Sequence, residues 1–209
     1  MLPRAVWLIL FFAVLVWSGI GPKDRVTWWL EVAPAIAAIL ILFATRKRFP
    51  LTPLAYILIL IHSIILMVGG HFTYSEVPYF DWLWDLLGQT RNNYDKIGHF
   101  AQGFIPAIIA REVLIRNNVV NSKAWLAFIV VSICLAISAF YELIEWWVAL
   151  LSGESADAFL GTQGYVWDTQ SDMAWAMFGA ILALAALGRM HDRQLRSLSA
   201  TVGSGSSPN

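Results

Sequence analysis

The sequence has a single cysteine and few charges. One cysteine, Cys134, excludes an intramolecular disulfide. Only 13% of residues are charged, about half the roughly 25% of an ordinary soluble domain. Net charge is zero, so there is no basic field to attract nucleic acid. No P-loop, dinucleotide fingerprint or internal repeat occurs. H-E-x-x-H and paired E-x-x-H motifs are also missing, which removes zinc-protease and ferritin-like di-iron chemistry.

What is present is apolar. Hydrophobic residues make up 58% of the chain and fall in long runs, the pattern of a polytopic membrane protein. Eleven tryptophans suit lipid–water interfaces. The pattern predicts an all-α membrane helix bundle of six transmembrane helices. They cover about Ala5–Ile20, Val26–Thr45, Leu54–Gly70, Asp95–Ile115, Ala124–Leu151 and Asp168–Gly188. The first is expected to be a retained span rather than a cleaved signal peptide, because no A-x-A-like site follows it. Ser75 to Asn93 is too polar to span. Its aromatic and acidic residues around Trp82 and Trp84 predict a short interfacial helix. Residues 1–190 would form one six-span domain, and 191–209 a disordered cytoplasmic tail with His191 solvated in it.

Basic residues set the orientation. With the N-terminus inside, Arg4, Arg46, Lys47, Arg48, Arg111, Arg116, Lys123, Arg189, Arg193 and Arg196 are cytoplasmic. Only Lys23, Arg25, Arg91 and Lys96 are outside. Both termini are therefore expected on the cytoplasmic side. The acids fall the other way, and four helices bring polar residues to one outer level.

That level holds the candidate site. Asp95 and His99 are four apart and share a helix face, with Gln102 one turn further on. Asp168 and Asp172 repeat the spacing. Glu142 and Glu145 share a face of the fifth span, and His71 and Tyr74 end the third. Ionisable groups at membrane depth are costly and tend to be functional. Asp95 and Asp168 could simply cap their helices, but His99 and Asp172 lie too deep for that. The acids could also be a partly protonated network tying helices together. His62, alone in mid-span, reads as a packed core histidine, and Trp146 and Trp147 as an interface belt.

Read as a working site, Asp95, His99, Glu142 and Glu145 are the catalytic candidates, with His99 as general base oriented by Asp95. His99, Glu142, Glu145, Asp168 and Asp172 are candidate ligands of a divalent cation. Their oxygens favour Mg²⁺, Ca²⁺ or Mn²⁺, and histidine also admits Zn²⁺. A bis-histidine haem on His71 and His99 is a more distant option. His71, Tyr74, Gln102 and Gln163 would hold an envelope or lipid-linked substrate. The alternatives are a proton- or cation-coupled transporter and a structural membrane protein. Membrane lipid is the one partner the sequence implies.

Several stretches resemble the YjdF-like family of small bacterial inner-membrane proteins. They are Gly70-His71-Phe72-Thr73-Tyr74, Asn93-Tyr94-Asp95-Lys96-Ile97-Gly98-His99-Phe100, Tyr141-Glu142-Leu143-Ile144-Glu145-Trp146 and the run from Gly161 to Asp172. The resemblance spans about residues 30 to 190. It implies a six-helix inner-membrane protein and assigns no activity. More distantly, Asp95-Lys96 with His99-Phe100 and the later Glu142 resemble VanZ-type proteins, a group linked to glycopeptide resistance. The Gln and Arg expected shortly after the glutamate in that group are missing here.

Overall fold

The structure is a computed structural model and describes residues 2–74, 76–78, 92–152 and 166–204. Among the described residues there are six helices and no strands: α1 (Arg4–Gly19), α2 (Arg25–Thr45), α3 (Pro53–Phe72), α4 (Tyr94–Arg116), α5 (Lys123–Ser152) and α6 (Asp168–Ser204). The expected interfacial helix around Trp82 and Trp84 lies outside them. Four helices, α2, α3, α5 and α6, are long and apolar enough to cross a membrane. α1 has only 16 residues. α4 has 23, but Asp95, Lys96, His99, Arg111, Glu112 and Arg116 lower its hydropathy.

Local chemistry explains the helix starts. The Asp24 side chain caps α2 by accepting from the Thr27 amide at 2.7 Å. That bond holds the Asp24 carboxyl below its usual value. Thr52 caps α3, followed by Pro53 in the first turn, where a missing N–H does no harm. α3 ends with two successive left-handed residues, Thr73 (φ 58°) and Tyr74 (φ 51°).

α3 is the hub. On one side it packs against α1 and α2, on the other against α4. Phe11, Val32, Ala55 and Met67 form the core of the first group. Leu58, Ile105, Ile108, Val130, Cys134 and Ala180 form the core of the second, which includes α5 and α6. The Trp7 indole fixes α1 by donating to the Tyr56 carbonyl at 2.8 Å. Many large apolar side chains face outward, among them Trp29, Phe43, Phe128 and Leu150. Lipid is the solvent that suits such a surface.

α4 and α6 form the closest helix pair. A Cβ on Gly103 would run into the backbone oxygen of Ala176, and one on Gly179 into that of Phe100. Glycine is required at this crossing because the two backbones touch. Gly103 and Ala176 lie one turn beyond His99 and Asp172, so the crossing also sets the distance between those side chains.

The final helix corrects the expected C-terminal end. α6 continues past Gly188 to Ser204, through the segment expected to be a tail. His191 is fully buried rather than solvated. Its Nδ1 accepts from Arg111 at 3.0 Å, which leaves Nε2 as the donor to Glu112 Oε2 at 3.1 Å. Glu112, also fully buried, accepts from Thr52 N and Oγ1 and from Arg116. Asp192 takes the other arm of Arg111 at 2.6 Å. This cluster ties the start of α3, the end of α4 and the second half of α6 together.

Candidate functional site

At the other end of the bundle the polar residues gather around His99. The helix start puts Asp95 in the first turn of α4, where a carboxylate suits the exposed N–H groups. The Asn92 Oδ1 accepts from the Tyr94 amide at 3.1 Å at the helix start, and Asp95 lies inside the helix, directed at His99. His99 is 4% exposed. Its Nε2 is 3.6 Å from Asp95 Oδ1 and 3.5 Å from Glu142 Oε1. On the opposite ring edge Nδ1 faces Ser138 Oγ at 3.5 Å. Asp95, His99 and Asp172 each place a ligand atom within 4.8 Å of the others, and so do His99, Glu142 and Glu145.

The spacing bears on the chemistry. Charge-assisted hydrogen bonds run at about 2.7–2.9 Å, shorter than either contact of His99 Nε2. Two ligands on one metal, each bonded at about 2.0–2.1 Å, lie roughly 3.0–3.4 Å apart. The acids also have spare lone pairs. Asp172 is 2% exposed, and its Oδ1 has no hydrogen-bond partner among the described residues, nor has Oε1 of Glu142 or of Gln102. Buried polar atoms left like this are costly unless a proton or cation is supplied. The donor set, one imidazole and several carboxylates, fits a divalent cation.

A small cavity of ≈ 20 Å³ adjoins the cluster, enough for about one water. Asp95 and His99 form one wall. Glu31, His62, Tyr74, Gln102 and Tyr141 form much of the rest. Glu31 is buried and accepts from the Tyr141 hydroxyl at 2.6 Å. Tyr74 owes its place to two glycines. Its ring lies where a Cβ on Gly69 would stand, and a Cβ on Gly98 would come within 2.8 Å of it. The left-handed turn at Thr73 and Tyr74 folds the ring back into that space.

The predicted residues sort as follows. Asp95, His99, Glu142, Glu145 and Asp172 come together. Tyr74 and Gln102 line the adjoining cavity. Asp168 is buried at the start of α6 and near enough to act electrostatically on Glu142 and Asp172. His71 is held elsewhere. Its Nδ1 donates to the Ser18 carbonyl at 2.9 Å and its ring packs on Trp17, so it secures α1 and does not line the cavity. Gln163 lies outside the described residues. Three residues of the site were not anticipated: Glu31, Tyr141, and His62, which lines the cavity where a core histidine was expected. Glu31 had a signal, an acid two turns inside an apolar run, and Tyr141 stands beside Glu142 in a quoted motif.

Residues 3–193 match the family described as "Predicted membrane protein (DUF2238)". The chain belongs to this family. It is also 52% identical over 190 residues to "Inner membrane protein YjdF" of Escherichia coli (strain K12), covering 91% of each chain. No solved structure matches. The VanZ-type resemblance is not among these matches. The family and this relative make the protein an integral membrane protein of the YjdF-like group.

Proposed function

We propose that this family member crosses the inner membrane six times, with both termini cytoplasmic, and holds a divalent cation in the outer-facing cluster around His99. The cation and its acids would bind the polar head of an envelope or lipid-linked substrate in the adjoining cavity. The observation that carries this is the meeting of His99 Nε2 with Asp95 and Glu142 at 3.5–3.6 Å, beside a buried oxygen of Asp172 that has no partner among the described residues. The geometry favours His99 as ligand over His99 as base, because Nε2 faces the acids and Nδ1 faces Ser138. A metal-bound imidazole ordinarily has such a partner on its second nitrogen. Glu142, Glu145, Asp172 and Asp95 would complete the shell, with Asp168 behind them. Tyr74, Gln102 and Glu31 would meet the substrate.

Six crossings are supported by the spacing of polar levels. At 1.5 Å per residue, Asp95 to Arg116, Glu145 to Lys123 and Asp172 to Arg189 each span roughly 26–33 Å. A hydrocarbon core is about 30 Å thick. α4 therefore reaches across despite its low hydropathy, its polar residues lying at the two ends and inside the bundle. Coupled transport is less well supported. Between Gln102 and Arg111 on α4, roughly 14 Å of helix carries no polar side chain. Met173 to Gly188 on α6 carries no ionisable one.

Metal analysis of the purified protein tests the proposal. About one equivalent of divalent metal should stay bound after dialysis, and His99→Ala and Glu142→Gln should lose it while still folding. A wild-type protein that retains no metal, and whose melting temperature ignores added Mn²⁺, Zn²⁺, Ca²⁺ and Mg²⁺, would refute it.

A further inference from the structure

The end of the bundle opposite His99 has a larger opening. A cavity of ≈ 570 Å³ lies between the end of α4, the start of α5 and the middle of α6. This is within the range of small-ligand pockets, roughly 300–1,000 Å³. Three cations line it, one from each helix: Arg111, Lys123 and Arg189. Among the described residues Asp192 is its one acid, and Arg111 already pairs with it at 2.6 Å. Lys123 and Arg189 have no acid partner among the described residues. Asn121 and Ser122 add polar groups from the turn before α5.

The remaining wall is apolar. Ile115, Leu126 and Leu184 line the same opening. Cations at one edge and aliphatic side chains along a helix groove suit a ligand with a phosphate at one end and hydrocarbon at the other. The level agrees. Arg189 directly follows the uncharged run Met173–Gly188 of α6, and Lys123 directly precedes the apolar run of α5. Both charges thus stand where hydrocarbon gives way to headgroups. Basic pockets between transmembrane helices at that depth bind anionic lipid headgroups. The first turn of α5, with its free N–H groups, adds partial positive charge beside Lys123.

We propose that this cavity binds the phosphate headgroup of an anionic phospholipid, with Lys123 and Arg189 as the free charges and Ile115, Leu126 and Leu184 against the acyl chains. The site is separate from the acidic cluster and does not depend on it holding a metal.

Native mass spectrometry of the detergent-purified protein tests this, with phosphatidylglycerol, phosphatidylcholine and inorganic phosphate as probes. Phosphatidylglycerol should be retained and should raise the melting temperature. Phosphatidylcholine and free phosphate at equal concentration should do neither. Lys123→Gln with Arg189→Gln should weaken retention by about thirtyfold, the effect of two charges near a membrane surface. Both residues are exposed, so the double variant should fold and keep any metal bound at His99. Arg196→Gln, exposed and away from the cavity, should change nothing. Equal retention of the two lipids, protection by free phosphate alone, or wild-type retention by the double variant would overturn the proposal.

Discussion

Tyr141 of α5 donates to Glu31 of α2 at 2.6 Å, across 110 positions of sequence. This bond draws an acid of the N-terminal helix group to the cavity beside His99. Tyr141→Phe removes the donor and leaves the buried carboxylate with one partner fewer. Stability should fall by about 1–3 kcal/mol, the penalty of an unsatisfied buried group. Glu31→Gln keeps an acceptor for Tyr141 and should lose less. Melting temperatures of the two variants in one detergent decide it. A Tyr141→Phe protein as stable as wild type would mean the bond adds nothing.

Two glycines of α4 should respond differently to alanine. At Gly103 the new methyl group meets the backbone of Ala176, which can yield only if the helices separate. Gly103→Ala should destabilise by about 3 kcal/mol, the upper end for overpacking. It should also move Asp172 from His99 and weaken metal retention. At Gly98 the methyl meets one edge of the Tyr74 ring rather than backbone, so relief needs a side-chain shift and not a separation of helices. Gly98→Ala should therefore be milder, about 1 kcal/mol. Equal melting temperatures for the two would contradict the backbone contact between α4 and α6.

Orientation can be read with a membrane-impermeant maleimide. In a Cys134→Ala background, Ser155→Cys should label in intact cells and Asn117→Cys only after lysis. The basis is the concentration of basic residues at the Asn117 end of the bundle. The reversed pattern would place the acidic cluster on the cytoplasmic side.

Much of the cluster around His99 is legible in sequence because its members come in spaced pairs. Asp95 with His99, Glu142 with Glu145, and Asp168 with Asp172 each share a face whatever the surrounding packing. Glu31 has no such partner in its span; its place inside an apolar run marks it as unusual, and the tertiary contact with Tyr141 shows what it joins. His71 and Tyr74 are three apart and would share a face on a continuous helix. The helix stops at Phe72, and the left-handed turn sends Tyr74 to the cavity and leaves His71 facing α1. His191 was obscured for another reason. Its neighbourhood reads as a polar tail, yet Glu112 and Arg111, some eighty positions earlier, give it two partners and a buried place. The helices follow from local periodicity, whereas turns and long-range polar pairs depend on the assembled bundle.

The two polar ends should answer charge removal with opposite signs. Glu112 has donors on both oxygens: Thr52, Arg116 and His191. Removing it strands those donors in a buried place, so Glu112→Ala should cost about 3–5 kcal/mol. Metal bound at His99 should be unaffected in whatever protein still folds. Asp172 has the reverse balance. Its Oδ1 lacks a hydrogen-bond partner among the described residues, and burial together with the like charges of Asp95, Asp168 and Glu142 outweighs the attraction of Lys96. Without a cation, Asp172→Asn removes repulsion and keeps the shape, so the metal-free variant should melt at or above the wild-type temperature. With a cation, the same change removes a ligand, and affinity should fall at least tenfold. Stability and affinity moving in opposite directions is the signature of a site held ready for a ligand. Melting curves with and without chelator, run on both variants, measure the two signs. If Asp172→Asn destabilises the metal-free protein as Glu112→Ala does, the acids around His99 serve only to join helices.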